Sequence, residues 1–496
     1  MVRPSLEEAR AFAAQGYRAC PISCEIFSDL KTPVEVLRVL QRRSSHCFLL
    51  ESVEDAETWG RYTFLGYEPK LEVTCLNGAM RLRGARDEDF HTDDPGAVLQ
   101  ALIQAHRSPR VEGLPPFTGG LVGYFSYDYI QYSEPGLRRD GDDDRERFND
   151  VDLMLFDKVI AFDNFRQKIV FLVNIPLCGD VEAAYRAGKG ALRELVDLVR
   201  TGAPAAPRPG RRTSPWRQLF DEAAYAAMVE RAKRYIYDGD IFQVVLGNRL
   251  EADYEGSLLD MYRVLRTENP SPYMFFFSSD NLEIAGASPE TLVKLQGGVL
   301  HTYPLAGSRP RGESREADLQ LERELRRDPK ELSEHNMLVD LGRNDLGRVS
   351  KFGTVRVEQY LNVLRFSHIM HLGSTVAGEL RDGCTAADVV ASVLPAGTLS
   401  GAPKIRACEI IRELEGCKRG IYGGAVGYLD FTGNLDTCIA IRIAYKRSGK
   451  VFVRAGAGIV ADSVPAREYQ ECKNKARAVV DALDQAQEGI DRDPID

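Results

Sequence analysis

The sequence lacks the features that mark many specialised protein classes. Its ten cysteines stand singly or as Cys20-x-x-x-Cys24, with no Cys-x-x-Cys pair. That argues against a zinc ribbon and reads as reduced thiols rather than a disulfide framework. No long basic run is present and the net charge is −9, so nucleic acid and anionic membranes are not expected partners. No apolar stretch is long enough to span a bilayer, and Met1 to Arg10 holds no apolar signal core. A cytoplasmic protein is expected. Neither a Gly-x-Ser-x-Gly elbow nor a Gly-x-x-x-x-Gly-Lys-Ser/Thr loop occurs, which argues against the hydrolase and nucleotide chemistry those motifs serve. There is no internal repeat.

What is present is a long chain of 496 residues, 44% of them hydrophobic. That suits one very large domain or a few ordinary ones. Helix and strand signals alternate from about 32 to 175. Strands are expected at His46–Ser52, Arg61–Tyr67 and Leu71–Cys75, with a hairpin of Val151–Phe162 and Lys168–Asn174 around Asp163-Asn164. A helix follows to about Arg200. Residues 201–215 then form a proline-rich, basic linker without apolar periodicity. Beyond it, strands fit Ile241–Leu250, Tyr273–Phe277, Glu283–Gly286, Val299–Pro304, Phe366–Val376, Gly424–Asp430, Cys438–Tyr445 and Val451–Ala455. Helices fit about 315–327, 330–342, 401–414 and 464–487. Adjacent strands with helices grouped between them predict an α+β fold.

Two Glu-x-x-Glu pairs carry the most chemistry. Glu331 and Glu334 lie in one expected helix, Glu468 and Glu471 in another. Spacing i, i+3 puts each pair on one helix face. One pair alone reads as a solvated helix edge. Four carboxylates brought together would instead call for a hard divalent cation. The stripe Glu468, Glu471 and Lys475 borders the apolar positions Tyr469, Cys472, Ala476, Val479 and Leu483, as if at the edge of a cleft. Gly456-Ala-Gly-Ile-Val-Ala461 matches a dinucleotide fingerprint, and Ser463 and Pro465 would start the helix after it. No acidic ribose ligand follows, so a glycine turn that brings backbone N–H groups to a carboxylate fits better. Thr302–Gly312 holds a glycine, a hydroxyl and the cations Arg309 and Arg311, which suit carboxylates or a basic surface loop equally. In Ser367-His-Ile-Met-His371, strand alternation turns His368 and His371 to opposite faces. That argues against a metal pair and leaves room for one general base.

Taken in order, these stretches resemble the chorismate-utilising enzymes, most of all the large (component I) subunit of anthranilate synthases. The resemblance covers nearly the whole chain. It rests on Leu49-Leu-Glu-Ser52, Ala287-Ser-Pro-Glu290, Pro304-Leu-Ala-Gly-Ser308, the run Lys330 to Asp345, Met370-His371, Pro395 to Lys404, Ile421-Tyr-Gly-Gly424, Ala455-Gly-Ala-Gly458 and Glu468-Tyr-Gln-Glu471. The resemblance implies a large α+β chorismate-binding domain over 216–490, with two packed antiparallel sheets flanked by helices. Residues 1–200 would contribute a regulatory site and subunit contacts.

The resemblance also implies a site. Glu334 and Glu471 would bind Mg²⁺, with Glu331 and Glu468 holding its waters. Arg442, Tyr422 and the backbone of Gly456, Ala457 and Gly458 would hold substrate carboxylate. Gly307 and Ser308 would line the pocket, and Thr398 and Lys475 would stand nearby. Ser308 replaces a threonine common in the family but keeps the hydroxyl. Glu290 resembles the acid that protonates the departing 4-hydroxyl, and His371 the base for aromatisation. Gln243 stands where water-adding relatives carry a lysine base, and Ala306 where others carry a nucleophilic lysine; neither can do that work. No glutamine amidotransferase segment is recognisable, so a partner subunit would supply ammonia, in a heterotetramer of two large and two small subunits. Glu51, Ser52, Pro272, Tyr273, Met274, Val426, Tyr428 and Cys438 resemble a site for L-tryptophan as feedback inhibitor. Three other readings stay open: a 2-amino-2-deoxyisochorismate synthase or other chorismate-utilising synthase, a dinucleotide oxidoreductase built on Gly456–Ala461, and a non-catalytic tryptophan sensor.

Overall fold

In the computed structural model the described residues are 2–52, 60–85, 87–138, 146–365 and 369–490. They form two large sheets in which every recorded ladder is antiparallel. The larger runs, in spatial order, Ala19–Phe27, Lys168–Pro176, Lys158–Asp163, Tyr62–Tyr67, Cys47–Glu51, Tyr273–Ser278, Leu282–Ser288, Ile443–Arg447, Lys450–Ile459, Gln243–Glu255 and Arg211–Arg212. The second runs from Leu305–Pro310 through Ile369–Glu379, Val299–Thr302, Thr291–Gln296, Leu435–Ile439 and Ala425–Asp430 to Gly120–Phe125 and Val151–Phe156, and on through Leu71–Leu76 to Glu88–His91.

The sheets pack face to face through large apolar side chains. Phe48, Phe64, Phe275 and Phe452 come from the larger sheet, and Tyr124, Phe156, Val426 and Cys438 from the second. Helices cover the outer faces. Val181–Thr201, Glu222–Tyr237, Leu259–Glu268, Lys404–Glu415 and Pro465–Glu488 lie on the larger sheet. Pro95–Ala105, Pro329–Gly347 and Ala386–Val393 lie on the second. The α+β expectation with two packed antiparallel sheets holds.

The division at 201–215 does not separate two cores. Cys47–Glu51 pairs with Tyr273–Ser278, and Gly120–Phe125 pairs with Ala425–Asp430, so residues before and after the segment share both sheets. The proline-rich segment is itself docked: Ala205 N–H donates to Arg38 at 2.8 Å, and Arg211–Arg212 joins the edge of Gln243–Glu255.

Two expected strands each prove to be two. Val151–Phe162 divides at Asp157, its halves lying in different sheets. Cys438–Tyr445 divides likewise: Leu435–Ile439 belongs to one sheet and Ile443–Arg447 to the other. Arg442 sits at this corner with φ of 54°. Each crossing is marked only by a short polar interruption, Asp157-Lys158 in one and Arg442 in the other, which reads in sequence as an ordinary polar position within one strand. His368 lies outside the described residues.

Candidate active site

The site begins at the helix Pro329–Gly347. Asp328 caps it, its carboxylate accepting from the N–H groups of Lys330 and Glu331, and Pro329 occupies the first turn. Glu331 and Glu334 therefore sit near a capped helix start. The second acidic helix, Pro465–Glu488, also opens on proline, but its N-cap is Val464 rather than the expected Ser463. Ser463 instead accepts from Val460 N–H at 3.0 Å and hydrogen-bonds Glu468.

The two helices bring their carboxylates into one electrostatic neighbourhood. Burial raises Glu334, and the charges of Glu331 and Glu471 raise it further, while Lys330 and Lys475 oppose them. Burial raises Glu468 as well, and Glu471 adds to it. The expected four-carboxylate shell of Glu331, Glu334, Glu468 and Glu471 is nonetheless not closed by protein alone. Among the described residues no three His, Cys, Asp or Glu side chains form a metal shell. Glu331 turns toward Arg309 at 3.4 Å, and Glu471 pairs with Lys475 at 2.7 Å. Like charges held close each draw the nearest cation. The donor set is all hard oxygen and overcrowded with negative charge, which fits a hard divalent cation whose other positions belong to waters and substrate.

The arginines of Thr302–Gly312 are not offered to a substrate. Arg309 pairs with Asp328 at 2.6 Å and Arg311 with Asp318 at 2.9 Å. The expected turn is instead largely the strand Leu305–Pro310, and Gly307 sits in it at a register shift between Ala306 and Ser308, with φ of 78°. A side chain there would be strained by the backbone and would approach Oε2 of Glu331 at 3.2 Å. The Gly307 carbonyl accepts from Nδ1 of His371 at 3.1 Å, and Ser308 is the cross-strand partner of His371. Burial lowers the pKa of His371 and the charge of Glu331 partly restores it.

Glu290 follows the strand Leu282–Ser288. Burial raises its carboxyl to about 7, against the opposing hydrogen bond from Thr398 and the charge of Lys475. The Thr398 hydroxyl donates to it at 3.1 Å. The two residues line a pocket completed by Thr291, Pro304, Leu338 and Ile439.

Gly456, Ala457 and Gly458 lie inside the strand Lys450–Ile459, opposite Gly247, Leu246 and Val245. This is not a strand-to-helix turn, so the dinucleotide reading fails, because a phosphate would find no helix start here; nor is it a glycine turn, and any backbone offered to a carboxylate is that of a strand. The glycines serve close approach. A side chain at Gly456 would meet Tyr422 Oη at 3.0 Å, and one at Gly458 would meet Gln243 Nε2 at 2.8 Å. On the other side, the ladder to Ile443–Arg447 ends at Val453. From Arg454 onward that edge lies outside the ladder. Lys475 Nζ donates to the Gly456 carbonyl at 3.2 Å.

Arg442 closes the group. Burial lowers its pKa, Tyr422 opposes the shift, and among the described residues no acceptor pairs with its guanidinium. A desolvated arginine without a counter-ion is a strong anion site. The expected residues thus form two linked series meeting at Lys475: one through Gly456, Tyr422 and Arg442, the other through Glu471, Glu334, Glu331 and Gly307 to His371. The charge of Lys475 reaches Glu290 as well.

A support beneath the site escaped the sequence. Glu415, Arg419 and Arg454 are buried together. Arg419 donates to the carbonyls of Leu399 at 2.6 Å and Val245 at 2.7 Å, and Glu415 accepts from Gly247 N–H at 2.7 Å. The i, i+4 spacing of Glu415 and Arg419 was the only sequence signal, and it is indistinguishable from a surface pair.

The expected regulatory residues line a separate cavity of about 370 Å³. Glu51, Ser52, Pro272, Tyr273, Met274, Val426, Tyr428 and Cys438 all contribute to its wall. Glu51 also holds fold together: Tyr262 donates to its carboxylate, and Arg266 does so at 2.6 Å. The Ser52 hydroxyl is buried without a hydrogen-bond partner among the described residues.

Comparison with known proteins places these features in a family. The model of chorismate binding enzymes matches residues 46–481. Anthranilate synthase component 1 of Acetivibrio thermocellus is 42% identical over 496 residues, covering 98% of this chain and all of that protein. Its counterpart in Pseudomonas aeruginosa is 43% identical over 494 residues, covering 98% and 99%. The crystal structure of anthranilate synthase component I from Streptococcus pneumoniae superposes with a TM-score of 0.74 at 36% identity, covering 86% of this chain and 93% of that one. The chain belongs to the chorismate binding enzyme family, among the anthranilate synthase component 1 proteins.

Proposed function

We propose that the chain is the large subunit of an anthranilate synthase, converting chorismate and ammonia to anthranilate and pyruvate at the head of tryptophan synthesis. One observation carries the chemistry. Glu290, a carboxyl whose pKa burial raises to about 7, is linked through the charge of Lys475 to the two series that hold His371, its Nδ1 donating to Gly307, and Arg442, whose guanidinium has no counter-ion among the described residues.

Arg442, Tyr422 and the open edge of Gly456–Gly458 bind and orient carboxylate oxygens of the dianionic substrate. Mg²⁺ held by Glu334 and Glu471, with Glu331 and Glu468 on its waters, would neutralise the ring carboxylate and draw charge from the ring. Glu290 then gives its proton to the 4-hydroxyl, which leaves as water while ammonia adds at C2. Next, Nε2 of His371 takes the C2 proton as the ring becomes aromatic. The bond to the enolpyruvyl oxygen breaks, and that fragment picks up a proton to leave as pyruvate. Gln243 and Ala306, which cannot act as base or nucleophile, favour ammonia as the attacking group.

Ammonia would come from glutamine through a separate amidotransferase subunit, as the designation component 1 of the relatives implies, and L-tryptophan would inhibit from the Ser52–Met274 cavity. The deciding experiment is incubation with chorismate, Mg²⁺ and an ammonium salt. Fluorescent anthranilate with equimolar pyruvate is expected. Accumulated aminodeoxyisochorismate without pyruvate would sink the reading in favour of the shorter reaction.

A further inference from the structure

The regulatory cavity and the catalytic acid share a wall. Tyr273 lines the cavity and donates its hydroxyl proton to Asp436 at 2.8 Å. That commits the only proton Tyr273 has. The Thr291 hydroxyl, 3.1 Å from the Tyr273 oxygen, must therefore be the donor between them. Thr291 lines the pocket of Glu290, next to it in the chain. The strand Leu435–Ile439 grips the same segment. Cys438, a cavity residue, is the cross-strand partner of Thr291; Ile439 N–H donates to the Glu290 carbonyl at 3.0 Å; and Ser288 Oγ donates to the Ile439 carbonyl at 2.7 Å. Anything that fills the cavity presses on Tyr273, Asp436 and Cys438, and these are the residues that hold Ser288–Thr291 in place.

We infer that Thr291 is a positioning residue for Glu290 and, with Tyr273, couples occupancy of the regulatory cavity to the placement of the catalytic acid. This rests on the tryptophan reading above. Binding at the cavity shifts the segment, and Glu290 loses its line to the substrate hydroxyl. The signal needs no domain rearrangement, because one hydroxyl pair spans the two sites.

The test uses Thr291→Val and Tyr273→Phe, each removing one hydroxyl, with Thr291→Ser as the conservative control. Tryptophan affinity is measured by calorimetry, and kcat/KM for chorismate with ammonium is measured with and without saturating tryptophan. Coupling between sites commonly amounts to roughly 5- to 150-fold. Thr291→Val should bind tryptophan yet bring the inhibition factor to within about twofold of unity, while Thr291→Ser keeps it. Tryptophan should also move the basic limb of the pH profile in the wild type and not in Thr291→Val. Retained binding with undiminished inhibition overturns the inference, as does loss of coupling in Thr291→Ser. If wild type binds no tryptophan, the regulatory reading falls too, while anthranilate formation from ammonium still reports separately on the catalytic one.

Discussion

The Gly307 carbonyl accepts the Nδ1–H of His371 at 3.1 Å. A carbonyl cannot donate, so the proton of the neutral ring lies on Nδ1 and the lone pair on Nε2. The same glycine lies against Glu331, so one irregular position of the strand Leu305–Pro310 links the base to the acidic helix.

His371→Met should therefore slow pyruvate release more than amination. Loss of a general base costs roughly 10²- to 10⁴-fold. Chromatography of quenched reactions should show aminodeoxyisochorismate building up. A variant that stops consuming chorismate, with no intermediate, would assign His371 a different role.

The pH profile should be a bell. Glu290 works protonated, so kcat/KM at constant free ammonia falls as pH rises through about 7. His371 works neutral and its pKa is lowered by burial, so the acidic limb lies below its ordinary 6.5. Thr398→Val removes a hydroxyl that favours the ionised carboxyl of Glu290. The basic limb should move to higher pH in that variant, and an unmoved limb would detach Thr398 from the acid.

Glu334→Gln and Glu471→Gln should each nearly abolish turnover while leaving circular dichroism unchanged. Each removes a charge from the crowded acidic face at almost constant volume. Full wild-type activity in excess chelator would remove Mg²⁺ from the mechanism.

Ser52→Phe should relieve tryptophan inhibition and spare catalysis. Ser52 lines the cavity and its buried hydroxyl has no hydrogen-bond partner among the described residues, so a phenylalanine ring at this position would take up ligand space. Linkage requires chorismate and tryptophan to weaken one another by the same factor. Inhibition curves at several chorismate concentrations test both points.

Glu415→Gln should be among the most destabilising single changes. Burial alone would raise the Glu415 carboxyl, but Arg419 and Arg454 hold it below its ordinary range. Removing the charge leaves two buried guanidinium groups without a counter-ion, at a cost of about 3–5 kcal/mol. The midpoint of urea unfolding should fall accordingly, and a shift typical of a surface change would refute the buried role.

Local patterns of the sequence already determined which residues could act together along a helix. Glu331 with Glu334, and Glu468 with Glu471 and Lys475, are neighbours by helical repeat alone. The α+β class followed from grouped strands and helices, and the motifs from Leu49 to Glu471 pointed to the family. Tertiary structure decided everything that depends on pairs distant in the chain. Leu49 opposite Phe276 and Val426 opposite Tyr124 merge the two halves of the chain into shared sheets, which no local pattern encodes. The corner at Arg442 was hidden because both strands it joins are apolar on buried faces. Arg309 and Arg311 looked available to a substrate until the fold supplied Asp328 and Asp318, while Arg442, singled out in sequence by the resemblance alone, has no acidic partner among the described residues. Charge in a sequence is a property of residues, but whether a charge is neutralised depends on what folding brings within a few ångströms of it.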